Sequence, residues 1–204
     1  MPDFSFETLA YAKGATRVAG VDEVGRGPLA GPVMTAAVIL DPDNIPEGLQ
    51  DSKKLTAKRR EGLFDLIMQS ATVAIAECSV AEIDQINILQ ASLLAMKRAL
   101  AKLDPAPDFA LIDGNRLPQN LGIPAQAIIK GDDKSASIAA ASIIAKVTRD
   151  RLMARLAQEF PGYGWERNAG YGTKQHLEAL LSLGVTPHHR VSFKPIHNIL
   201  YQDI

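Results

Sequence analysis

The chain has one cysteine in 204 residues, Cys78. A single thiol closes no disulfide within the chain and supplies no zinc framework. A disulfide-stapled secreted module is therefore excluded, and a reducing, cytoplasmic setting is expected. No apolar run approaches the roughly 18 residues of a membrane span. The N-terminus lacks a basic stretch leading into an apolar one, so neither a signal peptide nor a membrane partner is expected. Internal repeats, low-complexity linkers, a Walker loop and a Gly-x-Gly-x-x-Gly fingerprint are also missing. Net charge is nearly absent, at -1, and 47% of residues are hydrophobic. That suits one compact domain with a small appendage, whose core needs no staple.

The near-zero charge hides an uneven distribution. Residues 1–145 carry 14 Lys+Arg against 18 Asp+Glu, whereas residues 146–204 carry 8 against 5 and hold all four histidines. An acidic body with a basic C-terminal arm fits a polyanion substrate. Ordinary fluctuation would give the same split.

Apolar patterning predicts strands at Arg17–Val21, Pro32–Leu40 and Thr72–Cys78, joined as an antiparallel meander. Phe109–Asp113 and Ala125–Lys130 read as later strands in a parallel extension of the sheet. Thr56 can cap a helix to about Ser70, with Leu63, Leu66 and Ile67 on one face. Ser79 and Asn87 each begin a segment with capping-box spacing, the second running to about Leu103. A long Ala- and Ser-rich helix spans Ser135 to about Phe160, and its small side chains permit close packing. Thr173 can cap a last helix that Gly184 ends. The division expected is residues 1–155 as the catalytic unit and residues 156–204 as a helical C-terminal extension packed on it.

Asp22 and Glu23 lie side by side at the end of the first apolar run. Adjacent carboxylates at the end of a buried strand are costly unless something compensates them. Asp113 and the pair Asp132-Asp133 hold similar positions after later strands. If those strands are neighbours, their ends converge and form a site for hard divalent cations, which prefer oxygen ligands. Any one such acid is more often a turn or cap residue, and Asp113-Gly114-Asn115 is a good turn by itself.

Gly25-Arg26-Gly27 follows the acid pair. Glycines permit close backbone approach to a ligand, and Arg26 offers a forked phosphate contact; a tight hairpin turn with a solvated arginine is the other reading. Asp51-Ser52-Lys53-Lys54-Leu55 combines a hydroxyl with two cations, for phosphate or simply for solvent. Gly170-Tyr171-Gly172 sets an aromatic ring between glycines, suited to stacking on a sugar or base or to partial burial. His188-His189-Arg190 with Lys194 reads as a solvated basic patch without a metal role. Met153, Leu156 and Phe160 read as core.

Taken together and in order, these motifs resemble a known family. Val21-Asp22-Glu23-Val24-Gly25-Arg26-Gly27-Pro28-Leu29-Ala30-Gly31, Asp51-Ser52-Lys53-Lys54-Leu55, Leu111-Ile112-Asp113-Gly114-Asn115, Lys130-Gly131-Asp132, the stretch from Ala139 to Asp150, and Gly170-Tyr171-Gly172-Thr173 are similar to bacterial ribonuclease HII, the type 2 ribonuclease H, over residues 17–195. The resemblance implies a ribonuclease H-like α/β fold, a mixed five-stranded sheet flanked by helices with a helical C-terminal extension. It implies a magnesium- or manganese-dependent endonuclease that cuts RNA in RNA–DNA hybrids. It also implies cleavage on the 5′ side of a single ribonucleotide embedded in duplex DNA, leaving a 3′-hydroxyl and a 5′-phosphate. The implied metal ligands and catalytic residues are Asp22, Glu23, Asp113 and Asp132, with Asp132 preferred to Asp133 because it is the acid of Lys-Gly-Asp. The implied substrate contacts are Gly25, Arg26 and Gly27 at the ribose and Tyr171 at the RNA–DNA junction; Lys53 joins them as the phosphate contact expected from its own motif. A cytoplasmic monomer is expected. Ala169 departs from the lysine the family usually has before Gly-Tyr, and Arg167 is a possible replacement for that phosphate contact.

Three other readings compete: a hybrid-binding module without catalysis, a phosphatase with an aspartyl nucleophile, and a type 3 ribonuclease H. The adjacency of Asp22 and Glu23 lacks the Asp-x-Asp spacing of the phosphatases. The 16 residues before the first strand leave no room for the extra N-terminal domain of type 3 enzymes. Leu200-Tyr201-Gln202-Asp203-Ile204 shows no docking motif for a clamp or polymerase.

Overall fold

The computed structural model describes residues 1–201, so the last three positions of the C-terminal stretch just named lie outside the described residues. Its centre is a five-stranded sheet of β1 (Val18–Val24), β2 (Val33–Leu40), β3 (Ala71–Cys78), β4 (Phe109–Asp113) and β5 (Ala125–Ile128). The strands lie in the order β3-β2-β1-β4-β5. β1 and β3 both pair antiparallel with β2, as the meander predicts. β4 and β5 add in parallel, β4 to β1 and β5 to β4. The helices are α1 (Ser5–Ala12), α2 (Ala57–Ser70), α3 (Val80–Ala101), α4 (Ala136–Glu159), α5 (Trp165–Asn168), α6 (Lys174–Leu183) and α7 (Lys194–Tyr201).

Alternation along the strands divides the core into two layers. Ala19, Val21, Ala37 and Ile112 pack against Met96, Ala99 and Leu100 of α3. Ala36, Val38 and Leu40 pack on the other face against Ala140, Ile143, Ile144 and Val147 of α4. Leu63 and Ile67 of α2 join that second layer, but Leu66 is 51% exposed instead of sharing their face.

Several caps lie where the sequence puts them. Thr56, Ser79, Ser135 and Thr173 each accept a hydrogen bond from a first-turn backbone N–H, and Ser79 with Glu82 completes a capping box. Asn87 interrupts α3 with a left-handed φ of 67°, and its side chain caps the second half through the N–H groups of Leu89 and Gln90. The two helices read from sequence are thus one element with a break.

The small residues of α4 have a specific use. A Cβ on Gly20 would lie 2.1 Å from the Ser137 carbonyl carbon and 2.4 Å from the Ile138 nitrogen, both backbone atoms of α4. Gly20 is where the helix crosses β1 at closest approach, two residues before Asp22. Gly20→Ala is expected to cost about 3 kcal/mol of stability, the upper end for overpacking, as read from the midpoint of chemical denaturation.

The C-terminal elements fold around Trp165, Tyr163, Leu180 and Ile196, and they reach back to Leu29 and Ala30 in the loop between β1 and β2. Met153 and Leu156 of α4 belong to the same cluster, so a division at 155/156 falls inside that helix. α1, α5 and α7 have no counterpart in the sequence reading. α1 has no side-chain cap, α5 is four residues long, and α7 buries only Ile196. Their helicity comes from packing against the rest of the chain, not from local signals.

Candidate active site

Asp22 and Glu23 lie inside β1, not after it, because β1 stays paired with β2 through Asp22↔Ala36, Glu23↔Thr35 and Val24↔Met34. On the other side the parallel pairing stops at Val21↔Ile112. Beyond that point β4 ends with Asp113, alongside Asp22. Adjacent strand residues leave the backbone on opposite faces, yet at this edge one carboxylate oxygen each from Asp22, Glu23 and Asp113 lies within 4.8 Å of the others. Asp132 is not part of that trio. It sits in a 3-10 turn, Gly131–Asp133, beyond β5, and is buried. Asp113 Oδ1 accepts the Gly131 N–H at 2.6 Å and so ties the turn to the trio. Asp133 pairs instead with Lys54 at 2.5 Å.

The trio is electrostatically strained. Burial raises the Asp22 pKa well above the usual carboxylate range, and the charges of Glu23, Asp113 and Asp132 push the same way. The Ser142 hydroxyl works against them. Burial also raises Glu23, opposed by Arg26, whose Nη1 lies 3.2 Å from Glu23 Oε1. Burial pushes Asp132 up to about 6, with Asp113 adding to it. Glu23 Oε2 is buried and, among the described residues, has no hydrogen-bond partner. A set of hard oxygen donors, mutually repelling and with one buried oxygen unsatisfied, is what a divalent cation relieves. The donor set fits magnesium or manganese.

The substrate candidates lie around this edge. Arg26 and Gly27 are exposed on the loop after β1. A Cβ on Gly27 would come 3.2 Å from Tyr171 Cε1, so the loop and the half-exposed tyrosine touch. Gly25 adopts φ +92°, and a Cβ there would overlap Arg149 Nε at 2.2 Å. Lys53 is exposed, 3.9 Å from both Asp51 and Asp132. Partial burial works to lower its pKa, but Asp51 and then Asp132 raise it on balance. A groove of about 350 Å³ runs from Glu23, Arg26 and Asp113 to Leu93 and Met96 of α3.

Comparison with known proteins decides between the ribonuclease types. The family model described as Ribonuclease HII matches residues 19–196. The chain belongs to the ribonuclease HII family. A curated ribonuclease HII from Ruegeria pomeroyi is 67% identical over 202 residues, which is 99% of this chain and 86% of that one. Among solved structures, ribonuclease H2 from Pyrococcus horikoshii is similar with a TM-score of 0.76 and 29% identity, over 90% of this chain and 97% of that one. The RNase HII solved in a PCNA complex from Archaeoglobus fulgidus has a TM-score of 0.72 and 30% identity, over 88% and 96%. The chain is accordingly a ribonuclease H, an endonuclease acting on RNA in RNA–DNA hybrids, in a family that depends on divalent metal. Among the described residues, no helix is long and apolar enough to cross a membrane.

In this ribonuclease HII the basic patch of the sequence reading is split: Lys194 is exposed, whereas His189 and Arg190 are buried, at 1% and 0% exposure. His189 accepts the Thr186 N–H at its Nδ1 and faces His176 Nε2 at 3.0 Å. Burial lowers both histidines, His189 to about 4, which leaves them neutral at physiological pH. His176 Nδ1 then donates to the Tyr171 carbonyl at 2.9 Å. Ala169 takes a left-handed φ of 48° and offers its carbonyl to Arg149 at 2.8 Å, while Arg167 pairs with Glu166 at 3.2 Å. Sequence reasoning missed Ser142, Arg149, His176 and Arg190. No local signal marked them: α4 also carries Lys146, Thr148, Asp150, Arg151 and Arg155, and only the tertiary contacts separate the buried Ser142 and Arg149 from these more exposed neighbours.

Proposed function

We propose that this ribonuclease HII cuts on the 5′ side of single ribonucleotides embedded in duplex DNA, as well as in longer RNA–DNA hybrids, with magnesium or manganese as cofactor. The convergence of Asp22, Glu23 and Asp113 at the β1–β4 edge carries the reading. These three, with Asp132 as the fourth acid, would hold the metal. When bound, divalent ions supply the activation of water and the neutralisation of charge on the departing 3′ oxygen that phosphodiester hydrolysis needs. Arg26 holds Glu23 in place through its ion pair. Gly27, exposed beside Tyr171, admits the ribose to the Gly25–Gly27 backbone without a side chain in the way, and the ribose 2′-hydroxyl is what separates RNA from DNA. Tyr171 stacks at the RNA–DNA junction, and Lys53 contacts a flanking phosphate. A cytoplasmic monomer fits this assignment.

The test is a nicking assay on duplexes holding one ribonucleotide, four ribonucleotides or a full RNA strand, in magnesium, in manganese and with a chelator. Metal-dependent nicks 5′ of the lone ribonucleotide, ending in 3′-hydroxyl and 5′-phosphate, are expected. Tight hybrid binding without cleavage in either metal would instead indicate a binding module, and turnover of a generic phosphomonoester would indicate a phosphatase.

Tyr171→Ala is expected to lower cleavage at the lone ribonucleotide about tenfold, the order of one lost base- or sugar-stacking contact of 1–3 kcal/mol, and to change the full hybrid less. The ratio of kcat/KM on the two substrates measures this. An unchanged ratio would make the tyrosine structural.

A further inference from the structure

The loop that joins β1 to β2 is held from behind by two buried arginines. Arg190 Nη1 donates to the Arg26 carbonyl at 2.9 Å, Nη2 to the Gly25 carbonyl at 2.5 Å, and Nε to the Gly31 carbonyl at 2.9 Å. Arg149 reaches the carbonyls of Pro32, Ala30 and Ala169 at 3.0, 2.9 and 2.8 Å. Both side chains are essentially inaccessible, at 0% and 1% exposure. Among the described residues neither forms an ion pair with a carboxylate. Burial lowers both, Arg190 to about 9 and Arg149 to about 10, so each remains a cation at neutral pH. A buried, unpaired charge is costly; retaining two behind one exposed loop calls for a purpose at that loop.

Peptide geometry supplies the purpose. A trans peptide unit is planar, so its N–H points opposite to its C=O. The Gly25 carbonyl shares a unit with the Arg26 N–H, and the Arg26 carbonyl shares one with the Gly27 N–H. By taking both carbonyls inward, Arg190 turns the N–H groups of Arg26 and Gly27 outward. Among the described residues neither N–H has a protein acceptor, and both residues are exposed. The pair faces the region where Tyr171 meets Gly27. Two adjacent outward N–H groups backed by a fixed positive charge form an anion-binding concavity.

We infer that Arg190 is a positioning residue that fixes the Arg26 and Gly27 N–H groups as a preformed donor pair for the ribonucleotide, its 2′-hydroxyl and adjoining phosphodiester oxygen, and that Arg149 holds the following loop segment in support. This rests on the activity proposed above but adds residues far from the loop in sequence. Lysine cannot replace arginine here, because one ammonium cannot span three carbonyls in the plane of a guanidinium.

The experiment uses an Asp22→Asn background, expected to bind without cutting, and compares its affinity for a duplex with one ribonucleotide against the same all-DNA duplex by fluorescence anisotropy. Adding Arg190→Lys is expected to reduce the preference for the ribonucleotide about tenfold, the order of a lost hydrogen bond to a buried hydroxyl, with a smaller loss on all-DNA, which shares only the phosphodiester contact. An unchanged preference, or equal weakening on both duplexes, overturns the positioning role. If the lysine variant does not fold, the amide resonances of Arg26 and Gly27 in the protein with Arg190 intact decide. They are expected to shift when the ribonucleotide duplex is added and to shift less with all-DNA, and amides that respond to neither duplex overturn the inference. Wild-type protein that fails to nick the ribonucleotide duplex overturns the activity reading itself. Wild-type nicking alongside an unaltered preference in the variant overturns only the assignment of Arg190.

Discussion

Asp22→Asn is expected to abolish cleavage in magnesium while leaving duplex binding in place. Asp22 is the most enclosed member of the acid trio, surrounded by Glu23, Asp113 and Asp132. Asparagine keeps its shape and removes the charge that a divalent cation requires. Metal activation supplies several kcal/mol of transition-state stabilisation, so a fall of at least about a thousandfold in kcat is expected. Duplex affinity, which rests on phosphate and ribose contacts elsewhere, changes little. The same variant has an opposite effect on stability. In the presence of a chelator its melting temperature is expected to rise above that of the unmodified protein, because a buried repulsive charge is gone. Addition of magnesium is then expected to stabilise it less, since stabilisation by a ligand of the native state grows with the logarithm of its concentration over Kd. Near-normal turnover, or a lower melting temperature without metal, would remove Asp22 from the centre of the site.

Gly27→Val is expected to cut activity at a lone ribonucleotide by about a hundredfold or more, with little change in melting temperature. The first added carbon would lie 3.2 Å from Tyr171 Cε1, and the two branches beyond it must displace either the ring or the incoming ribose. A lost hydrogen bond to an enclosed hydroxyl costs about 1–3 kcal/mol, and the steric conflict adds to that. Gly27 is exposed, so the fold has no reason to suffer. Gly27→Ala tests the same point more gently, because a neighbour at 3.2 Å can give by a few tenths of an ångström. Cleavage at the lone ribonucleotide measured as kcat/KM should fall in the order glycine, alanine, valine. Equal rates would show that the ribose does not approach this position.

The central sheet was legible because its signals are local: a continuous apolar run in Val33–Leu40, bounded by turn residues, and a capping box at Ser79 do not depend on distant partners. The acid cluster was legible only as a coincidence of strand ends, and sequence alone ended the first strand at Val21, three residues short of its end at Val24. Pairing of β1 with β2 past the end of β4 keeps both acids in the strand, a register that no single segment encodes. Asp132 looked equivalent to the others, but it approaches through a 3-10 turn beyond β5 and not through a strand end. Least legible were Arg190 and His189. Adjacent basic residues in a loop ordinarily face water, and only the tertiary contacts with Gly25, Arg26 and Thr186 show why these do not.

The arginine that grips the Gly25 carbonyl lies 165 positions further along the chain. Asp22, Glu23, Asp113 and Asp132 all belong to the first two thirds of the sequence. During synthesis, which proceeds from the N-terminus, the acids and the sheet that gathers them emerge well before the segment that orders the glycine loop. A nascent chain therefore gathers its acids before the glycine loop is held in place, and the contact that holds that loop closes one of the longest loops in the fold. Such distant closure is slow to form, which makes the seating of Arg190 a late step in maturation.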